Sequence, residues 1–406
     1  MRGVRSTAIR SGALAITLAG LAAASPTTAA VAGTKATPPA TSPGSPKWQL
    51  FNAPVQGSIS LLSATAAGRN AAWAGGLLVN PRKPPRLART PADDENCNFA
   101  KGMFTSVMLR WDGRSWQQVS IPNFARINQV SASSPKDVWA SADCGLLHWN
   151  GQSWTPVPFA PIPGAEQTSA GSISAVGPED AWLAGGTYDG GTGVGRGFVR
   201  HWDGRHWRNV PLPNLDGSFS LDGIDARGPR DVWAVGTDYP GDDVHPERLL
   251  LLHWNGRTWK RLPEPVTGYM TQRLTRVRMV TGNDVWVSGW GKTTPGREAL
   301  RHPMLLHWNG REWASAKVPD GRGELMDVAV SGRQALAGGD TVTPSEPSYT
   351  MLALRRTASG WQNAPVPVTG MATLAGLAPI PGGGLWGVGA ITATSGDYQP
   401  LIARLK

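Results

Sequence analysis

The chain has 406 residues, with 39 Lys and Arg against 29 Asp and Glu, a formal net charge of +10, 50 Gly, 34 Pro, 19 Trp and only 2 Cys. That modest positive balance permits weak attraction to anionic polymers without marking a specific nucleic-acid binder. No His or Cys spacing matches a zinc motif, and beyond the first two dozen residues no segment stays apolar for the eighteen or so residues a membrane-spanning helix needs.

Residues 1–32 read as a secretory signal peptide: Arg2, Arg5 and Arg10 precede an apolar run from Gly12 to Ala24, and small residues allow cleavage after Ala24, Ala30 or Ala32. The expected product is secreted, extracellular and free of a membrane span; losing three arginines and no acidic residue lowers its charge from +10 to +7. Residues 33–46, GTKATPPATSPGSP, have almost no large apolar side chain and form a Pro/Thr/Ser linker.

From residue 47 on, the chain repeats itself. "PKWQLFNAPV" (46–55) reads as a lone strand with Trp48 at its start, and "RNAAWAGG" around Trp73 opens the first full unit. Trp-Asn/Asp-Gly-x-x-Trp then recurs at Trp111/Trp116, Trp149/Trp154, Trp202/Trp207, Trp254/Trp259 and Trp308/Trp313. Asn-Gly or Asp-Gly between two short β-prone runs is a strong hairpin signal, so these runs are strands c and d. Strand b is the phrase around Trp139, Trp182, Trp233 and Trp286, such as "GPRDVWAVG", with degenerate copies at Leu336 and Trp386. Strand a is the run before it, such as "SISAV" (172–176).

Four antiparallel strands every fifty or so residues, with no long helix, predict an all-β, seven-bladed β-propeller over residues 47–406. The terminal "QPLIARLK" supplies a strand c without a partner, and the Trp48 strand supplies the missing strand d. Pairing the N-terminal and C-terminal strands closes the ring and covers an exposed sheet edge. The tryptophans are expected to pack between blades.

This pattern resembles the kelch and galactose-oxidase central-domain type of propeller across nearly all of residues 47–406. The shared features are a glycine after strand b, doubled at Gly75-Gly76, Gly185-Gly186 and Gly338-Gly339, and a strand-d tryptophan before a Pro-containing turn. The chain departs from kelch blades in carrying His-Trp or Arg-Trp in strand c where those have a tyrosine. "WDGRSW" is also similar to the Asp-box of sialidase-like propellers, one residue short between Asp and Trp.

No catalytic set and no metal set emerges. His148, His201, His253 and His307 recur once per blade, so they cannot converge on one metal and read as structural. The copper chemistry of galactose oxidase has no matching Tyr-Cys pair. "GKT" at Gly291–Thr293 lacks the glycine and helix of a phosphate loop, and "GGTGVGRG" (190–197) lacks dinucleotide spacing and reads as a flexible stretch. Cys97 and Cys144 fall in neighbouring loops of one face, and export favours a Cys97–Cys144 disulfide; the alternative is two free thiols.

In such a ring the a-b and c-d turns share one face, and here they are short and alike. The b-c loops on the other face (77–104, 187–196, 237–248, 291–302, 340–349 and 390–398) are long and individual, and loops on a constant scaffold carry function. The run PRKPPRLART (81–90) in the first is read as a solvated loop. Trp290, Tyr239 and Tyr188 lie in or beside this face and are the candidate binding aromatics. "DYPGDDVHPE" (238–247) adds Asp242, Asp243 and Glu247, as a solvated loop or a calcium site. The expected function is a monomeric binding module that recognises an extracellular glycan or protein through its b-c and d-a loops, without a cofactor. The alternatives are a carbohydrate-active hydrolase or lyase with its site on the same face, and an architectural envelope protein.

Overall fold

Paired tryptophans and the turns between them set the local structure. In each turn, Oδ1 of Asp112, Asn150, Asp203, Asn255 or Asn309 accepts the backbone N–H groups two and three residues on, at 2.8–3.1 Å. The next residue is a glycine with φ between 90° and 99°, a conformation disfavoured for residues with a Cβ. The turn then brings the two tryptophans opposite each other across the hairpin.

The computed structural model of the chain describes residues 47–79, 103–143, 145–189, 194–215, 217–239, 247–294, 300–341 and 349–406. The signal peptide, the linker, the run 81–90, Cys97, Cys144, Asp242 and Asp243 lie outside the described residues. Among those described, every regular element is a strand.

The strands form antiparallel four-stranded meanders in chain order. They are β2 (Ser58–Gly68), β3 (Ala71–Val79), β4 (Phe104–Trp111) and β5 (Trp116–Gln118); then β6 (Ile127–Ser134), β7 (Asp137–Ala142), β8 (Gly145–Trp149) and β9 (Trp154–Val157). Next come β10 (Gln167–Gly177), β11 (Asp180–Asp189), β12 (Val194–Trp202) and β13 (Trp207–Val210), followed by β14 (Ser218–Gly228), β15 (Asp231–Tyr239), β16 (Arg248–Trp254) and β17 (Trp259–Arg261). Then come β18 (Thr271–Thr281), β19 (Asp284–Lys292), β20 (His302–Trp308) and β21 (Trp313–Ser315), and β22 (Glu324–Ser331), β23 (Gln334–Asp340), β24 (Met351–Thr357) and β25 (Gly360–Asn363). The last meander, β26 (Met371–Pro379), β27 (Leu385–Thr392) and β28 (Tyr398–Leu405), takes its fourth strand from β1 (Trp48–Leu50), with Trp48 opposite Leu405.

The first strand of each meander packs against the first strand of the next, and β2 also packs against β26. Each of these strands carries a bulge at the same place, at Leu62, Asn128, Gly171, Asp222, Thr275, Met326 and Ala375. The bulge drives a carbonyl toward the neighbouring strand. A Cβ at Gly76, Gly236, Gly289, Gly339 or Gly389 would lie 1.8–2.2 Å from the carbonyl oxygen of Ser60, Ser220, Arg273, Glu324 or Thr373. That approach is why a glycine recurs at this position, which lies within strand b, in these units.

The strand-b aromatic of one meander inserts between the two tryptophans of the next. Trp139 meets Trp202 and Trp207 at 5.1 Å, Trp233 meets Trp308 and Trp313 at 5.4 and 5.2 Å, and Trp386 meets Trp111 and Trp116 at 5.2 and 5.1 Å. Trp73, Trp139, Trp182, Trp233 and Trp386 are fully buried, so these tryptophans pack between meanders. The repeated histidines support them: Nε2 of His148, His201, His253 and His307 lies 2.7–2.9 Å from Oδ1 of Asp137, Asp180, Asp231 and Asp284, and each ring lies on its strand-b tryptophan.

Two details differ from the sequence reading. The β10 and β14 meanders join into one eight-stranded sheet through a single parallel pairing of Arg196 with Phe219. Gly197 permits it, since a Cβ there would lie 2.7 Å from Leu221. Of the glycine-rich run 190–197, Val194–Gly197 is the opening of β12, paired to β11, where a flexible stretch was expected.

Candidate functional site

The innermost strands expose two alternate positions after each bulge. In three of them these hold acceptors that bind the backbone of the following meander: Ser63 and Thr65 accept from Val130 and Ala132, Gln129 and Ser131 from Ile173 and Ala175, and Ser172 and Ser174 from Ile224 and Ala226, at 2.9–3.2 Å. Asp225 continues the series by accepting from Met279 N–H at 2.8 Å, and Asp327 by accepting from Leu377 N–H at 2.9 Å.

β18 breaks it. Its two positions hold Arg276 and Arg278, and a guanidinium has five donors and no acceptor. Arg278 instead forks onto Asp327, with Nη2 at 3.0 Å from Oδ2 and Nε at 3.3 Å from Oδ1, and Asp327 is fully buried. Arg276 Nη1 donates to Gln129 Oε1, on a strand that is not its neighbour. In chain order β10 and β14 lie between the strands that carry these two side chains. Gln129 Nε2 and Arg276 Nε have no hydrogen-bond partner among the described residues.

Burial lowers the Arg276 pKa, with Asp327 opposing. Burial would do the same to Arg278, but Asp327 and Asp225 outweigh it and hold that pKa up. Asp225 is pushed above the ordinary carboxylate range by burial, against Arg278 and three hydrogen-bond donors.

A second group lies where the b-c and d-a connections leave β14, β15, β18 and β19. Arg273 Nη2 donates to the Tyr239 hydroxyl at 2.8 Å, and its Nε has no hydrogen-bond partner among the described residues. Asp222, the bulge residue of β14, accepts from Ser220 Oγ at 2.8 Å. Burial raises the pKa of Asp222, opposed by Arg273, and that of Glu247, opposed by Arg273 and Lys292. The Tyr239 hydroxyl is raised by the same cause. Arg273 therefore sits among Tyr239, Asp222 and Glu247, which raise its pKa past the loss due to burial.

Trp290 is the cross-strand partner of Arg273. Its ring is 8% exposed, with the Arg301 guanidinium 4.5 Å from the centroid and Lys292 Nζ at 5.8 Å. Arg301 in turn pairs with the buried Glu324. Trp290 is thus a covered strand residue that carries cations on its face. Tyr188 is half-buried at the same end of β11, opposite Gln167.

No family model and no curated protein matches the chain. Among solved structures, YCF48 from Cyanidioschyzon merolae is similar with a TM-score of 0.51 and 14% identity, over 88% of this chain and 98% of that one. With the repeated antiparallel meanders, that likeness decides the architecture. The fold is a β-propeller. A protein of unknown function from Dyadobacter fermentans aligns over 89% of this chain and 98% of its own, with 10% identity and a TM-score of 0.47.

Of the residues in these two groups and beside them, the sequence reading names Tyr239, Trp290 and Glu247 and does not name Arg273, Asp222, Arg276, Arg278, Asp225 or Asp327. The signal was present: aligned after the bulge, the inner strands read SAT, QVS, SIS, GID, RVR, DVA and GLA, and one alone carries two arginines. Among the described residues no cluster of His, Cys, Asp and Glu fits a metal ion, and no helix is long and apolar enough to cross a membrane.

Proposed function

We propose that the chain is an exported, seven-bladed propeller of the kelch and galactose-oxidase type, latched by β1 on β28, that binds an extracellular glycan through its b-c and d-a loop face. Support for the closed ring comes from the Trp48–Leu405 pairing and from β2 packing on both β6 and β26. The observation that carries the binding reading is the Tyr239–Arg273–Asp222–Glu247 group at the loop end of the inner strands. It offers donors and acceptors beside an aromatic ring, and oriented polar groups beside aromatics suit a hydroxyl-rich ligand.

The test is a glycan array with the mature chain, repeated with Arg273→Ala and Tyr239→Phe. Saturable binding that both variants weaken supports the reading; binding unchanged in both, or none, overturns it. One observation favours an enzyme as the second reading: burial holds Asp222 and Glu247 toward the protonated form, the state a general acid needs. Turnover of a polysaccharide, abolished by Glu247→Gln or Asp222→Asn, would decide for it.

A further inference from the structure

The opposite face, where the a-b turns emerge, carries a depression of about 390 Å³ between the turns of the β2, β22 and β26 meanders. That size falls in the range of small-molecule sites, about 300–1,000 Å³. Arg69, Arg404 and Lys406 line it, with Gln334 and the turn Gly382–Gly383–Gly384, and no acidic side chain does. The three glycines have φ of 87°, 114° and 92°. A Cβ at Gly382 would lie 2.7 Å from Arg69 Nε, so the turn leaves the guanidinium room to lie against it. Arg69 Nη2 donates to Gly382 O at 2.7 Å, and Arg404 is held over the Trp386 ring at 5.6 Å.

Two polar atoms of the residues lining this depression are buried without a hydrogen-bond partner among the described residues: Arg404 Nε, a donor, and Gln334 Oε1, an acceptor. Buried polar groups left unpaired are costly, so a ligand that supplies both complements is favoured there. The cations call for an oxyanion, which a guanidinium fork matches in shape, and the Gln334 oxygen calls for a hydroxyl.

We propose that this depression binds a monosaccharide-sized sugar carrying a carboxylate or a phosphate, at a site separate from the loop face. The oxyanion lies against Arg69 and Arg404, and a sugar hydroxyl donates to Gln334.

Isothermal titration of the mature chain with glucuronate, glucose 6-phosphate, inorganic phosphate and neutral glucose tests it. Saturable binding of glucuronate, of glucose 6-phosphate or of both, with none for glucose, is expected, and the first two arms tell carboxylate from phosphate. Arg69→Gln, at an exposed position, should weaken binding about ten-fold, as expected for loss of a charge-assisted pair. Gln334→Leu should weaken the sugars and leave inorganic phosphate unmoved. Arg273→Ala should change nothing, which separates this site from the loop face. No saturable heat with either charged sugar, or affinities unchanged in both Arg69→Gln and Arg404→Gln, would overturn the proposal. Equal binding of inorganic phosphate and both sugars, indifferent to Gln334→Leu, would overturn the sugar and leave a bare anion site.

Discussion

β10 and β18 occupy equivalent places in two units of the repeat, on either side of the β14 meander, yet they join to the next blade by opposite chemistry. Ser172 and Ser174 on β10 accept backbone N–H groups of β14, neutral bonds between short side chains and main chain. Arg276 and Arg278 on β18 cannot accept, and the junction to β22 depends instead on Asp327, which takes the Arg278 fork together with the N–H groups of Val328 and Leu377. At three junctions such a position is satisfied by Ser, Thr or Gln. Where two largely buried arginines replace it, the β18 junction is held by an ion pair instead, and that asymmetry sets it apart from the neutral ones.

The sharpest way to break the comparison is Asp327→Ala. It strands two guanidinium groups in a buried setting, and removing one partner of such a pair costs about 3–5 kcal/mol. Ser172→Ala, at the matching place on β10, leaves only the buried Ile224 N–H unpaired, for about 1–3 kcal/mol. Urea denaturation of both should rank them in that order; equal losses would mean that the β18 junction is no different from the others. The double variant Arg278→Met/Asp327→Leu should recover part of the Asp327→Ala loss, because apolar packing replaces the Arg278–Asp327 pair while Arg276 and the Leu377 N–H still lack their partner.

Asp222→Asn sharpens the contrast through pH. Burial holds the Asp222 pKa above its ordinary 3.8, so the folded chain binds that proton more tightly than the unfolded one. Its contribution to stability is full below the unfolded pKa and is lost as pH rises through the raised folded pKa. Asparagine lacks this dependence. Between pH 3 and neutrality the variant should therefore gain stability relative to the parent chain, read from urea midpoints at several pH values. A difference that moves the other way would mean that Arg273 holds Asp222 ionised.

The architecture was legible in the sequence because its determinants are local and repeated. The Asx-Gly turn and the two tryptophans it faces together depend on residues a few positions apart, and the glycine beside the strand-a carbonyl depends on a partner within the same hairpin, as Gly76 does on Ser60. The site was far less legible. Arg276 meets Gln129, Asp222 feels Arg273, and Arg404 shares a depression with Arg69 and Gln334, contacts made by the packing of separate meanders and by no spacing in the chain. Trp290 shows the limit from the other side: it stands outside the repeat phrases in sequence, and in the structure its ring is enclosed under Arg301. The a-b turns looked uniform and were set aside as a working face, although the Gly382–Gly384 turn differs from the others in composition.

The smallest expected effect concerns the repeat itself. Asn255→Ala removes the side-chain oxygen that accepts from Arg257 and Thr258 at 2.9 and 3.0 Å, both at an exposed turn where water can replace it. The loss should be about 0.5–1 kcal/mol, since exposed N–H groups are resolvated when the bond is cut. The same change at Asn309, whose oxygen accepts from Arg311 and Glu312, should match it within error, because the two turns share geometry and surroundings. Equal small losses at these turns beside a large one at Asp327 would locate the specialisation of this propeller in one inner junction. If Asn255→Ala instead unfolded the chain, the turns would be the elements that hold the blades, and the distinct chemistry of β18 would no longer stand out against them.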